Sequence, residues 1–198
     1  MRKYLTRSEV EQLVQAAGQG LNARRNVCMI TMCFIHGLRV SELCRLQLQQ
    51  LDLKGRTIYI QRSKNGFSTI HPLISAELPC LMAWLEERKT WSHGDSEWLF
   101  PSRKGGPLTR QQVYHIFTQY GKIAGISIVP HPHTLRHACG YALADRGADT
   151  RLIQDYLGHK NIQHTVIYTA ANSQRFINVW EEQQESSIQP ILSSVSGR

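Results

Sequence analysis

The sequence predicts an α+β fold: one mostly helical domain with a small antiparallel sheet. Three observations carry that expectation. Apolar residues recur at the helical period over most of the chain, the period drops to two only around Thr57 to Gln61, and an Asn65-Gly66 pair suited to a type I′ hairpin turn follows directly. At 198 residues, with 41% hydrophobic and 19% charged, the chain is long enough for a substantial core and has the makeup of a globular protein rather than a disordered or fibrous one. No break in composition asks for a second domain. One unit is expected over residues 1–184, and residues 185–198, serine-rich with Pro190 and Gly197, read as a flexible tail.

The elements follow in order. Thr6 and Glu9 form a capping box ahead of Val10, Leu13, Val14 and Ala17, a short helix stopped by Gly18 and Gly20. A second helix runs from about Ala23, with Val27, Ile30, Cys33 and Phe34 on one face, to His36-Gly37, where glycine takes a left-handed cap. Arg39 then sits at a helix-to-helix junction, close to the start of a third helix reaching Leu46. Ile58 and Ile60 alternate with Thr57, Tyr59 and Gln61 as a strand, and Ser68 to His71 return until Pro72, so Lys64 flanks a hairpin tip. Helices are expected at about Ala76–Lys89, at Arg110–Ala124 behind a Thr109/Gln112 box, and at Thr134–Arg146 before Gly147. Shorter ones cover Thr150–Leu157 before Gly158 and Gln163–Ala170, and a last amphipathic one covers Ser173–Gln184.

Lys and Arg outnumber Asp and Glu by 23 to 15, a net charge of +8 that favours polyanionic partners, although charge alone is weak evidence. The five cysteines contain no C-x-x-C pair and mostly sit among apolar neighbours, as reduced buried thiols do. The longest nearly apolar run, Val27 to Ile35, is far short of the roughly 20 residues of a membrane span. The first residues lack the hydrophobic stretch of a secretory signal, and a cytoplasmic location is expected.

The richest stretch is Pro130-His131-Pro132-His133-Thr134-Leu135-Arg136-His137, where the prolines set an extended entry and His133 and Arg136 share one helical face. Two plainer readings stand beside a catalytic one. One is a capped helix with solvated polar side chains. The other is metal: His133 and His137 have the spacing of a zinc-binding helix, to which His131, His159 and His164 could add ligands. Against zinc, Thr134 occupies the general-base position and Arg136 would set a fixed positive charge beside the cation. Further on come Gly158-His159 and Tyr168, each an ordinary structural residue when taken alone.

Their order adds meaning: an arginine at a helix junction, a lysine at a hairpin tip, His-x-x-Arg, Gly-His, then tyrosine. Phosphoryl transfer on a phosphodiester with a tyrosine nucleophile uses such a set. Arginine forks hold nonbridging oxygens and stabilise transition-state charge. A phenol of pKa about 10 needs a proton acceptor and a cationic field, and the leaving 5′ oxygen needs a proton that a lysine can deliver.

This set resembles the tyrosine recombinases, or phage-integrase family, over nearly the whole chain from Tyr4 to Trp180. The resemblance implies a tyrosine-recombinase catalytic domain without a separate N-terminal core-binding domain, since the catalytic pattern begins within the first forty residues. By position, Arg39 in Gly37-Leu38-Arg39-Val40-Ser41-Glu42-Leu43 is similar to the first catalytic arginine and Lys64 to the general-acid lysine. His133 and Arg136 match the His-x-x-Arg box, His159 the Leu-Gly-His box and Tyr168 the nucleophile. Glu42 resembles the acidic residue that supports the site from behind, and a simple charge at a helix start reads equally well.

Within that family, Lys64-Asn65-Gly66-Phe67-Ser68-Thr69-Ile70-His71-Pro72-Leu73 and the run from Arg136 to His159 resemble the Fim-type invertases that flip fimbrial promoter segments. The resemblance implies a site-specific recombinase that inverts a segment of double-stranded DNA between inverted-repeat sites through a 3′-phosphotyrosine intermediate, with no cofactor, ATP or metal. It further implies a homotetramer joined by exchange of a segment within Ser173–Gln184, accessory DNA-bending proteins, and residence at the nucleoid with no membrane partner. Arg62, Arg103, Lys104 and Arg110 read as contacts to the DNA backbone or as plain solvated charges. A catalytically silent DNA-binding regulator of the same fold is the alternative function.

Overall fold

Helix α1 (Arg7–Gly18) opens on the expected capping box, with Thr6 Oγ1 accepting from Glu9 N at 3.2 Å and Glu9 Oε2 accepting from Thr6 N at 2.8 Å. The computed structural model describes residues 2, 4–62, 67–91 and 95–170. Lys64, the Asn65-Gly66 turn, the Ser173–Gln184 helix and the 185–198 tail lie outside the described residues.

α1 buries Val10, Leu13, Ala16 and Ala17 against α2 (Ala23–Ile35), whose Cys28, Met29, Ile30, Met32 and Cys33 are fully covered. α2 ends as its sequence predicts. Gly37 adopts φ +56°, and Leu38 N donates to Cys33 O at 3.1 Å, closing the helix with a left-handed turn. A Cβ on Gly37 would also lie 2.4 Å from Leu157 Cδ2, so the turn admits only glycine on two counts. The next helix, α3 (Val40–Cys44), stops before the expected Leu46: Arg45 N and Leu46 N turn to the carbonyls three residues back, Glu42 O and Leu43 O, and the Leu46 carbonyl then accepts from Leu99 N at 2.7 Å.

A 3-10 turn at Leu48–Gln50 leads into β1 (Leu51–Asp52), a strand that no sequence pattern announces, since two residues show no period. β1, β2 (Thr57–Ile60) and β3 (Thr69–Pro72) form one antiparallel sheet in that order, with Ile58 opposite His71. Ile58 and Ile60 face the core and Tyr59 faces out. Pro72 is part of β3, which is tolerable at the end of an edge strand.

α4 (Leu78–Arg88) starts later than expected because the buried Glu77 is used sideways, accepting from Ile74 N at 2.8 Å and bonding His36 Nε2 at 2.9 Å. Trp84 of α4 is fully buried, with its indole N–H donating to Leu99 O at 2.9 Å. α5 (Arg110–Ile123) follows its Thr109/Gln112 box. α6 (Pro132–Asp145) begins earlier than expected, because Pro132 supplies a first helical residue whose fixed φ suits that position. α7 (Thr150–Leu157) and α8 (Gln163–Thr169) complete the described chain. α2 is the central helix, touching α1, α4 and α6. No described helix is long and apolar enough to cross a membrane.

Candidate active site

The Gly37 turn is the hub of the site. Its carbonyl points away from α2 and accepts from Arg136 Nη1, and Arg136 Nη2 donates to Leu157 O at 2.7 Å. Arg136 is therefore held by the carboxyl ends of two helices, where backbone carbonyls carry partial negative charge. It is 3% exposed, and burial, reinforced by the charges of Arg39 and Arg62, brings its pKa down to about 9, so it remains a cation at neutral pH.

Arg39 begins α3 and is steered by Glu42 one turn on. Glu42 accepts from Arg39 N at 2.9 Å and from Arg39 Nη1 at 2.7 Å, and its second oxygen also takes Arg62 Nη1 at 2.9 Å. Burial pushes the Glu42 carboxyl up, but the Arg62 charge and the Arg39 hydrogen bonds outweigh it and hold it at about 2. Glu42 thus closes the capping box of α3 and bonds two guanidinium groups.

Arg39, Arg136 and His133 line one cavity of about 580 Å³, together with Arg110, Tyr114 and His131. Tyr168 lies beside this group, on α8. Its ring sits over Gly140 of α6, where an added Cβ would fall 2.7 Å from the ring, and it is only 2% exposed. Burial raises the phenol to about 12, with the Arg136 charge acting in the opposite direction. The hydroxyl is 3.0 Å from His137 Nδ1, and His137 Nε2 is 2.8 Å from His133 Nε2. His159 follows the α7 cap at Gly158, its Nδ1 2.9 Å from the buried Thr165 hydroxyl, and its ring stacks at 6.4 Å from that of Tyr168. Burial and the nearby Arg136 and Arg39 lower its pKa to about 3, so the imidazole is neutral.

Folding therefore brings together five of the six expected catalytic residues, and Lys64 lies outside the described ones. Arg62 requires a correction. Expected at the surface, as a contact to the DNA backbone or a solvated charge, it has a side chain with no exposure at all, bonded to Glu42 and to the carbonyls of His36 and Tyr156. The reason is strand alternation: Arg62 continues the inward face of Ile58 and Ile60, a signal present in the sequence. Arg110 is exposed at the cavity, while Arg103 and Lys104 are exposed along a separate groove of about 720 Å³ beside the start of α5. His137, weighed only as a metal ligand, is the residue that touches the Tyr168 hydroxyl. Among the described residues no group of three or more His, Cys, Asp or Glu is arranged to hold a metal ion.

Residues 3–175 match the phage integrase family, and the chain belongs to it. It is 56% identical over 180 residues to the type 1 fimbriae regulatory protein FimB of Escherichia coli strain K12, covering 91% of this chain and 90% of that one. It is 39% identical over 174 residues to the tyrosine recombinase XerD of Caulobacter vibrioides, covering 84% of this chain and 57% of the relative. The crystal structure of the XerA recombinase superposes with a TM-score of 0.78 at 27% identity, over 92% of this chain and 65% of that one.

Proposed function

We propose that this member of the phage integrase family is a site-specific recombinase that breaks and rejoins DNA through a 3′-phosphotyrosine on Tyr168, inverting a promoter segment in fimbrial phase variation. The observation that carries the reading is a single cationic cavity, walled by Arg39, Arg136 and His133, with a buried phenol joined to it through His137. Such a cavity suits one phosphodiester. The two guanidinium groups take the nonbridging oxygens and stabilise the charge that builds on them, which is the electrostatic share of catalysis. Neutral His133 and His159 add hydrogen bonds, Tyr168 attacks phosphorus, and Lys64 protonates the leaving 5′ oxygen. Exchange of one ester for another needs neither ATP nor metal.

Residues 1–184 are taken as one catalytic unit and 185–198 as its tail. The exposed Arg110, Arg103 and Lys104 are taken as DNA-backbone contacts that set register without reading sequence. Four copies act on two inverted-repeat sites, joined by exchange of a segment within Ser173–Gln184, in the cytoplasm at the nucleoid, with accessory DNA-bending proteins holding the complex. Mapping covalent protein–DNA adducts across the host chromosome tests the reading. Adducts on Tyr168 at paired inverted repeats are expected, whereas tight binding with no adduct would assign the chain as a silent DNA-binding regulator.

A further inference from the structure

We infer that His137 is the group that takes the phenolic proton of Tyr168, while its own Nε2 proton moves to His133. The inference rests on the reading of Tyr168 as the nucleophile. His133 and His137 stand one turn apart on α6, so their rings meet on one helix face, and Tyr168 reaches the second ring from α8. The two short contacts, 3.0 Å from the phenol to His137 Nδ1 and 2.8 Å between the two Nε2 atoms, are compatible with donation in either direction along the chain, and the reactive set is the one that leaves His137 Nδ1 as an acceptor. In it Tyr168 O–H donates to His137 Nδ1, and His137 Nε2–H donates to His133 Nε2. Proton flow then runs from the buried phenol to an exposed imidazole on the cavity wall.

The charged and titratable groups around the phenol leave this route in place. His159, from the loop after α7, has its Nδ1 engaged by Thr165, and Tyr141 meets the ring edge-on. Arg136 supplies a positive field that favours the phenolate, and burial, with the charges of Arg136 and Arg39, keeps His133 neutral before the step. A buried phenol raised to about 12 is ionised in only about one molecule in 10⁵ at neutral pH, so the attack requires a base in contact with it. In the step, the bond from Tyr168 oxygen to phosphorus forms and the bond from phosphorus to the 5′ oxygen breaks. The phenolic proton passes to His137, the His137 Nε2 proton passes to His133, and the 5′ oxygen takes a proton from the Lys64 ammonium. Rejoining reverses each transfer.

The test uses the full chain and a nicked duplex carrying an attachment site recovered from the chromosomal mapping. His137→Gln keeps a polar side chain of similar reach and loses the base. Single-turnover cleavage is expected to fall about 100-fold at pH 7, with DNA affinity unchanged. The deficit should then shrink about tenfold per pH unit as hydroxide replaces the imidazole, and a fluorinated tyrosine of lower pKa at position 168 should restore most of the rate. Equal rates, or a loss that neither pH nor the fluorinated residue alters, would overturn the inference by leaving His137 a purely structural role. The fluorinated tyrosine in the unaltered chain is a second measurement that needs no change at 137. With an internal base the rate follows phenol pKa weakly, and a rate that climbs in step with the phenolate fraction refutes it. An adduct on a residue other than Tyr168 in the unaltered chain overturns the nucleophile assignment, a result distinguishable from the others.

Discussion

Two regions of the molecule hold themselves together by different means. From Leu5 to Ala138, helices α1, α2, α4 and α5 share one large apolar cluster that includes Met29, Trp84, Phe100 and Phe117. The second half of α6, with α7 and α8, is built on a small one: Cys139, Ala144, Ile153, Leu157 and Tyr168. The small region is fastened to the large one by polar ties: Arg136 to Leu157 O, Tyr156 O–H to Ile35 O at 2.9 Å, and Arg62 to Tyr156 O. Burial of a large apolar side chain contributes about 1.5–3 kcal/mol, against about 1 kcal/mol net for a typical hydrogen bond. The difference teaches that Arg136 and Arg62 stand where the two regions meet, while the phenol rides on the region with the smaller apolar cluster.

The largest expected effect separates chemistry from packing at that module. Tyr168→Phe removes one hydroxyl and keeps the ring over Gly140, so trapped covalent adducts should fall by about 10⁴-fold or more. The thermal midpoint should shift by only a few degrees, the loss of one hydrogen bond; adducts surviving the change would break the assignment.

Next comes the tie between regions. Glu42→Ala leaves the buried Arg62 charge without its carboxylate, with only backbone carbonyls against it, and should cost about 3–5 kcal/mol in urea unfolding. The same pair sets an acid limit. Because folding holds the Glu42 carboxyl at about 2, below the ordinary 4.5, its contribution is fully present above pH 4.5 and is lost as pH falls towards 2. Urea midpoints measured between pH 6 and pH 2.5 should decline for the unaltered chain and decline less for Glu42→Gln.

A smaller effect is expected at Gly140. In Gly140→Ala the new methyl meets the Tyr168 ring, at a cost of about 1–3 kcal/mol and with slower cleavage, while the large cluster is untouched. Tryptophan fluorescence from Trp84 should report an unchanged core, and a change there would show that the two regions are not separable. Finally, in the unaltered chain the amides of α7 and α8 should exchange with solvent about tenfold or more faster than those in the middle of α2. Equal protection would erase the contrast between the regions.

Much of the site was legible because it uses local rules. The left-handed glycine at 37, the boxes at Thr6 and Thr109, and the cap of α7 at Gly158 are decided within a few residues, and they fix where Arg39 and His159 stand along the chain. Arg62 was misplaced because charge was given more weight than strand alternation. β1 is too short to carry a pattern, and Glu77 could not be foreseen as a buried partner of His36, forty-one residues away.

By itself the sequence determined the order of the helices and sheet, their caps, and the ordered set of residues that marks the family, since each is written in spacing along the chain. Only the tertiary structure decided that Arg136 is clasped by the ends of α2 and α7, that Arg62 turns inward onto Glu42, and that His137 meets the Tyr168 hydroxyl. Those contacts join residues 20 to 99 positions apart. They arise from burial and from the need of each buried polar group for a partner, which no periodicity records.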